Sequence, residues 1–208
     1  DGVAYDLPAR SDCRACHEGN VSGVLGFSAL QLSGARDPGA LHSEPLGPGD
    51  LDLASLVARG LVRGLPASLV ANPPRIAASS PAGRAALGYL HGNCSSCHNT
   101  RGPLADLEFS LEVRVAPGAP PLGALTTAVD RRARFQPSGA QPWTRIANGR
   151  PEASLLLERM SRRDPISAMP PLGSHVVDRA AVALVERWIR EGLFAHQVVQ
   201  TASKGEKP

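Results

Sequence analysis

Apolar positions recur at helical spacing in two stretches of the chain and are more scattered elsewhere. Ala82, Ala86, Leu90 and Cys94 share one face, with Ala85 and Tyr89 beside it. Ser80-Pro81 opens this run with an N-cap residue followed by proline at the first helical position. Gly88 sits inside the run, where it costs about 1 kcal/mol relative to alanine, and is expected where a second helix crosses closely. The crossing partner is expected near the C-terminus. Asp178 predicts a cap there, Ala181, Leu184, Val185, Trp188 and Ile189 form the i, i+3, i+4, i+7, i+8 stripe, and Gly192 predicts the end.

Other stretches carry shorter signals. Leu155 to Met160 predicts a short apolar helix, with Met160 as core packing. Leu107, Phe109, Leu111, Val113 and Val115 alternate with polar or small residues, predicting a half-buried strand to which Thr126–Phe135 is expected to pair. In the first half, a helix is predicted from Asp50 to about Arg63, with Leu53, Leu56, Val57 and Leu61 on one side. The pattern as a whole predicts a mainly α, loop-rich fold with a small β insertion in its second half. An N-terminal unit is expected over 1–75, a C-terminal unit over 76–196 and a disordered polar tail over 197–208.

Composition changes this picture in one respect. Among 208 residues there are 21 glycines and 19 prolines, while aromatics make up only 4%, so side chains alone offer little for a large core. The net charge of +3 and a pI near 8.9 are weakly basic. The short basic stretches Arg131–Arg132–Arg134 and Arg159–Arg162–Arg163 read as solvated faces, not as a nucleic-acid or membrane patch. No apolar run reaches the length of a membrane span. Because the sequence starts at Asp1 without methionine, a processed form or a piece of a longer protein is expected.

The four cysteines decide the chemistry. They fall into Cys13-Arg-Ala-Cys16-His17 and Cys94-Ser-Ser-Cys97-His98, and C-x-x-C-H is the attachment signal for c-type haem. Two thiols add across the vinyl groups of one porphyrin edge, and the adjoining histidine, His17 or His98, reaches the iron. With four cysteines and six histidines in the chain, one such match is expected by chance about 0.002 times. A four-cysteine zinc site would pair CxxC knuckles across roughly 15–20 residues, far less than separates these. Redox dithiols usually sit in a βαβ context that is absent. The expectation is therefore two covalently bound haems c, on Cys13 and Cys16 and on Cys94 and Cys97. Covalent attachment takes place outside the cytoplasm, so a periplasmic or otherwise exported location follows.

A helix ending in CxxCH, a methionine in Ala168-Met169-Pro170-Pro171-Leu172-Gly173 and a last amphipathic helix resemble class I (mitochondrial-type) cytochromes c over Arg84–Ile189. That resemblance implies two cytochrome c-like haem domains, His98 as the proximal ligand of the second haem and Met169 as its distal ligand; thioether sulfur raises the potential relative to a second histidine. Leu7-Pro8-Ala9-Arg10-Ser11-Asp12-Cys13, Tyr89-Leu90-His91-Gly92-Asn93-Cys94 and the Met169 loop together resemble a group of bacterial di-haem c-type cytochromes exported from Gram-negative cells.

The first haem has its attachment but no methionine in its half of the chain. His42 precedes the predicted Asp50 cap by nearly the interval at which Met169 precedes Asp178, each just ahead of Pro-Leu-Gly. His42 is thus the candidate distal ligand of the first haem, with His91 as its rival; His175 and His196 read as loop and tail. Electron relay between a redox donor and an acceptor, with no chemistry on a substrate, is the leading function. The alternatives are a haem-bearing subunit of a respiratory or photosynthetic complex or haem wire, and a peroxidase-like enzyme if the first haem keeps an open iron position.

Overall fold

The two helices with the strongest periodicity form the centre of the molecule. In the computed structural model, which describes residues 2, 4–5, 7–20, 23–37, 39–41, 46–115, 123–137 and 142–192, α4 spans Pro81–Cys94 and α7 spans Arg179–Glu191. Before them come α1 (Arg10–His17), α2 (Leu53–Ala58) and α3 (Ala67–Ala71); between them lie α5 (Gly123–Thr127) and α6 (Leu155–Met160). The rest of the described chain is loops and two single 3-10 turns, so the fold is mainly α and loop-rich.

Both central helices begin where a side chain can satisfy the first free N–H groups. The Ser80 hydroxyl accepts from the Gly83 N–H at 3.0 Å, and the Asp178 carboxylate accepts from the Ala181 N–H at 2.9 Å. Gly192 closes α7 with φ of 84°, a conformation glycine adopts without steric cost. α7 buries Ala181, Leu184, Val185, Trp188 and Ile189, the five positions of the predicted stripe. The pair runs antiparallel. The Ser80 hydroxyl donates to Glu191 at the far end of α7, while Asp178 at its start lies by Tyr89, whose phenol is raised in pKa by burial and then by that carboxylate.

The close crossing is at Gly83, not Gly88. A Cβ at Gly83 would stand 3.3 Å from the indole Nε1 of Trp188, whereas Gly88 faces only Ile76, at 3.4 Å. Of the three glycines of α4, Gly83 lies under the tryptophan, Gly88 at the edge of an open cleft, and Gly92 has nothing within 4 Å of a Cβ.

The β insertion is not formed as expected. Leu111 and Val113 are buried on either side of half-buried Glu112, although Ser110 is buried too and Val115 is exposed, so the alternation is short, and among the described residues no strand lies beside it. Residues 123–127 coil into α5, and among the described residues only isolated bridges occur, Val129 with Ile146 and Thr144 with Arg132 and Ser154. The segment is held by side chains instead. Arg145 donates to the carbonyls of Leu107, Glu108 and Thr127, each at 2.7 Å, which pins Glu108 in a left-handed conformation with φ of 49°. Ser154, fully buried, accepts from the Ala147 N–H at 2.9 Å and so ties α6 to the preceding loop. Met160 lies in the core as expected.

The first half also differs from its sequence expectation. The helix predicted over 50–63 is only α2, capped by Asp52: Asp52 accepts from the Ser55 N–H at 2.8 Å and the Ser55 hydroxyl accepts from the Asp52 N–H at 2.9 Å. Leu53 and Leu56 are buried, but Leu61 lies beyond the helix end and is 65% exposed. Leu30, Ala40 and Leu41 pack against the core built on α4. Asp37 pairs with Arg84 of that helix and with Arg75, both at 2.8 Å. The N-terminal residues thus lean on the same core as the second half. The tail predicted over 197–208 lies outside the described residues.

Candidate haem-binding site

α1 carries the first motif. It is short, and the Ala9 N–H is satisfied by Asp12 at 2.9 Å. Three residues and then one place Cys13, Cys16 and His17 on its last turns, with His17 at the C-terminal end, where a helix favours a cationic or donor group. The ring of His17 is oriented by the carbonyl of Gly23, 2.6 Å from Nδ1. A carbonyl only accepts, so Nδ1 carries a hydrogen, and in a neutral ring the lone pair lies on Nε2. That tautomer, fixed by a backbone carbonyl, is the one a metal-bound imidazole uses. Just beyond Gly23 in the chain, Val24 and Phe27 expose 53% and 67% of their surface.

The second motif follows from α4. The helix delivers Cys94, and the chain then turns tightly, with the Cys97 and His98 N–H groups donating to the Cys94 carbonyl at 3.2 and 2.8 Å. Asn99, 3% exposed, closes the turn with all four of its amide valences. It donates to the carbonyls of Ser95 and Ser96 and accepts from the N–H groups of Arg101 and Gly102. Sequence reasoning passed over Asn99; no spacing rule marks it.

His98 is 9% exposed, stacks at a tilt on Phe109 at 4.7 Å, and its carbonyl accepts from the Leu111 N–H at 2.9 Å. Its Nδ1 is buried with no partner among the described residues. Burial, and then the charges of Arg159 and Arg145, push its pKa down to about 4, so the ring is neutral and able to give a lone pair. Burial also holds the Cys94 thiol up at about 12, and burial with the Cys16 contact holds Cys97 up at about 11. Among the described residues no three His, Cys, Asp or Glu side chains converge on one point. The donor set of each motif, two sulfurs and one imidazole, is one that could hold a porphyrin and its iron.

Met169 is half-buried on a loop anchored by Arg159. The Arg159 carbonyl accepts from the Met169 N–H at 3.1 Å, and its guanidinium donates to Ser167 and lies over Phe135 at 4.9 Å. Arg159, whose charge acts on His98, therefore joins the Met169 loop to the His98 side of the molecule. It is not the solvated residue expected from its basic neighbours, because its stem and head are used in packing. Arg163 departs likewise, donating to Met160 and Val176; Arg162 alone of the three keeps an exposed pairing, with Glu158.

The two candidates for the far side of the first haem stand differently. His42 lies outside the described residues. His91 lines a cleft of about 330 Å³ between the N-terminal loops and α4. Its Nδ1 accepts from the Val113 N–H at 3.2 Å, so the neutral ring carries its hydrogen on Nε2, the reverse of His17, and offers no lone pair there. His175 is exposed, with Tyr5 edge-on at 5.1 Å.

The two motifs meet. The sulfurs of Cys16 and Cys97 are 3.3 Å apart, and the Cys97 thiol donates to the Ala15 carbonyl at 3.4 Å. No family model matches the sequence, and neither the curated proteins nor the solved structures include a match.

The neutral state of His98 has a consequence for acid stability. The unfolded chain takes up a proton at the ordinary value of 6.5 that the native His98 refuses until about 4, so the unfolded state binds more protons in this interval and stability falls as pH falls. His91, also lowered by burial, acts in the same direction. Chemical denaturation of the haem-free chain between pH 7 and 4 is expected to show a steady loss of stability, and His98→Asn is expected to flatten the slope. An unchanged slope in that variant would remove His98 as its source.

Proposed function

We propose that the chain is a di-haem c-type cytochrome that relays electrons between redox partners outside the cytoplasm. The observation that carries this reading is the hydrogen bond of His17, directly after a C-x-x-C pair: its Nδ1 lies 2.6 Å from the Gly23 carbonyl, which turns Nε2 outward as the nitrogen that would meet an iron. The second C-x-x-C pair likewise ends in a neutral imidazole, that of His98.

Haem, when bound, supplies a one-electron Fe(III)/Fe(II) couple. The rest is the work of the chain. Cys13, Cys16, Cys94 and Cys97 would hold two porphyrins by thioether bonds, and His17 and His98 would each supply an iron ligand. Met169, on its anchored loop, would supply a further ligand to the second iron, and His42 is retained as the candidate for the first. Arg145 and Arg159 act on the His98 side with positive charge, which disfavours the more cationic ferric state and raises the potential of that haem. The partners are a donor and an acceptor protein. Among the described residues no helix is long and apolar enough to cross a membrane.

The test is a haem count. Expressed in a host with covalent haem attachment, the intact chain is expected to carry two haems by denaturing mass spectrometry, with a matching alkaline pyridine spectrum. The Cys94→Ala/Cys97→Ala variant is expected to carry one. A wild-type chain that leaves such a host with both motifs unmodified overturns the proposal.

A further inference from the structure

Cys16 and Cys97 lie 81 positions apart in the chain, yet their sulfurs are 3.3 Å apart. Both side chains are half-buried, whereas Cys13 is exposed and Cys94 packs against the core built on α4. The surrounding chain holds the two sulfurs together. The Cys97 thiol donates to the carbonyl of Ala15, the neighbour of Cys16, at 3.4 Å. A Cβ at Gly19 would lie 2.7 Å from the Asn99 amide and 2.9 Å from the Gly102 Cα; one at Gly102 would lie 3.1 Å from the Gly19 Cα. Backbone therefore meets backbone at this seam, and buried Asn99 fixes it from one side with four hydrogen bonds. An S–S bond is about 2.05 Å long, so a closure of about 1.3 Å joins the two sulfurs, a distance within reach of side-chain rotation.

We infer that Cys16 and Cys97 are a cross-linking site, forming a disulfide that ties the first motif to the second in the haem-free chain. The bond does not depend on the haem reading above. A sulfur held in it is closed to thioether formation, so cross-link and haem attachment are alternative fates of the same two thiols. The oxidant is a small-molecule or protein disulfide, the class that acts in oxidising compartments. The Cys16 thiolate attacks one of its sulfurs, giving a mixed disulfide and releasing one thiol. Cys97 then attacks the Cys16 sulfur, forming the Cys16–Cys97 bond and releasing the second thiol. Two electrons pass from the cysteine pair to the oxidant, and the two thiol protons end on the released thiols. Loop closure alone would favour Cys13 with Cys16 and Cys94 with Cys97, so a bond across 81 positions reports the folded contact.

The test uses the full chain, made without haem attachment and purified reduced. It is exposed to oxidised glutathione at mildly alkaline pH, in buffer and in concentrated urea. Remaining thiols are then blocked with N-ethylmaleimide, and unreduced tryptic peptides are mapped by mass with fragmentation. Cleavage after Arg14 separates Cys13 from Cys16, so the two are told apart directly. In buffer the Cys16 peptide is expected to be joined to Cys97, with Cys13 and Cys94 blocked. In urea the pairs within each motif are expected to dominate, and the long cross-link to fall on the order of tenfold or more. Cys94→Ser is expected to keep the cross-link and Cys97→Ser to lose it; where either variant fails to fold, the wild-type map decides. A map in buffer that matches the one in urea, or four cysteines still free of any cross-link after oxidation, overturns the inference. Either result leaves the haem reading standing, since the haem count tests that separately.

Discussion

Replacing Trp188 with alanine is expected to cost about 3–5 kcal/mol of stability, the usual range for removing a buried large aromatic. At about 2–4 °C per kcal/mol for a chain of this size, the thermal midpoint should fall by roughly 6–20 °C. Three facts place the effect at the top of the range available to a single substitution. Trp188 is 4% exposed and is the largest side chain in the buried core among the described residues. It sits on Gly83 of α4, its indole Nε1 3.3 Å from where a Cβ would stand, so residue 83 has no side chain to refill the space. The chain has few other aromatics to share the load. Trp188→Phe is expected to recover part of the loss, because it keeps a ring under the same helix. A midpoint for Trp188→Ala within a degree or two of the wild type would mean that the helix crossing is not the centre of stability.

The same helix pair shows what was legible in the sequence. The α7 stripe, its Asp178 cap, its Gly192 end and the Ser80-Pro81 start of α4 are written locally: each depends on residues within four positions, the range over which helical periodicity and capping act. The CxxCH motifs are legible for the same reason. The pairing of α4 with α7 and the burial of Met160 came out as expected; what failed was the finer register of the surfaces. Gly88 has the composition of a crossing point, but the tryptophan lies over Gly83, and only the tertiary register of the two helices decides between them. The alternation from Leu107 to Val115 is satisfied by burial of Leu111 and Val113 without a paired strand, since Arg145 supplies hydrogen bonds that a second strand would otherwise make. Asp50 and Asp52 are equally good caps by type, and the reciprocal bonds with Ser55 choose the second.

The candidate site divides in the same way. Cys13, Cys16, His17, Cys94, Cys97 and His98 carry their chemistry in their spacing. Asn99, Gly19 and Gly102 carry none, because their part is to let two distant turns touch. Arg159 was hidden by its neighbours: a basic cluster reads as a solvated face, yet a guanidinium also has a flat apolar surface and five donors. On Phe135 and the Met169 loop it uses both.

Replacing Met169 with alanine is expected to convert the second haem from six-coordinate low-spin to a high-spin form that binds carbon monoxide, as seen in the visible spectrum and by low-temperature EPR. The loop should survive the change, because none of the bonds that hold it uses the methionine side chain. Met169 donates its N–H to Arg159, Ala168 donates to the Asp164 carbonyl at 3.0 Å and Ser167 to the Asp164 carboxylate at 2.9 Å. Met169→His should restore a low-spin spectrum with a lower potential, by a shift on the order of 0.1 V within the roughly 0.8 V that axial ligands span, since a thioether favours Fe(II) more than an imidazole does. Met160→Ala is the control that separates ligation from packing. Met160 is 7% exposed and lies in the core, so its loss should lower stability by about 2–5 kcal/mol while the haem spectrum stays low-spin. If Met169→Ala remained low-spin and closed to carbon monoxide, the sulfur would not be the ligand. If Met160→Ala turned high-spin in its place, the chain would use its other methionine, and the loop held by Arg159 would need a different purpose.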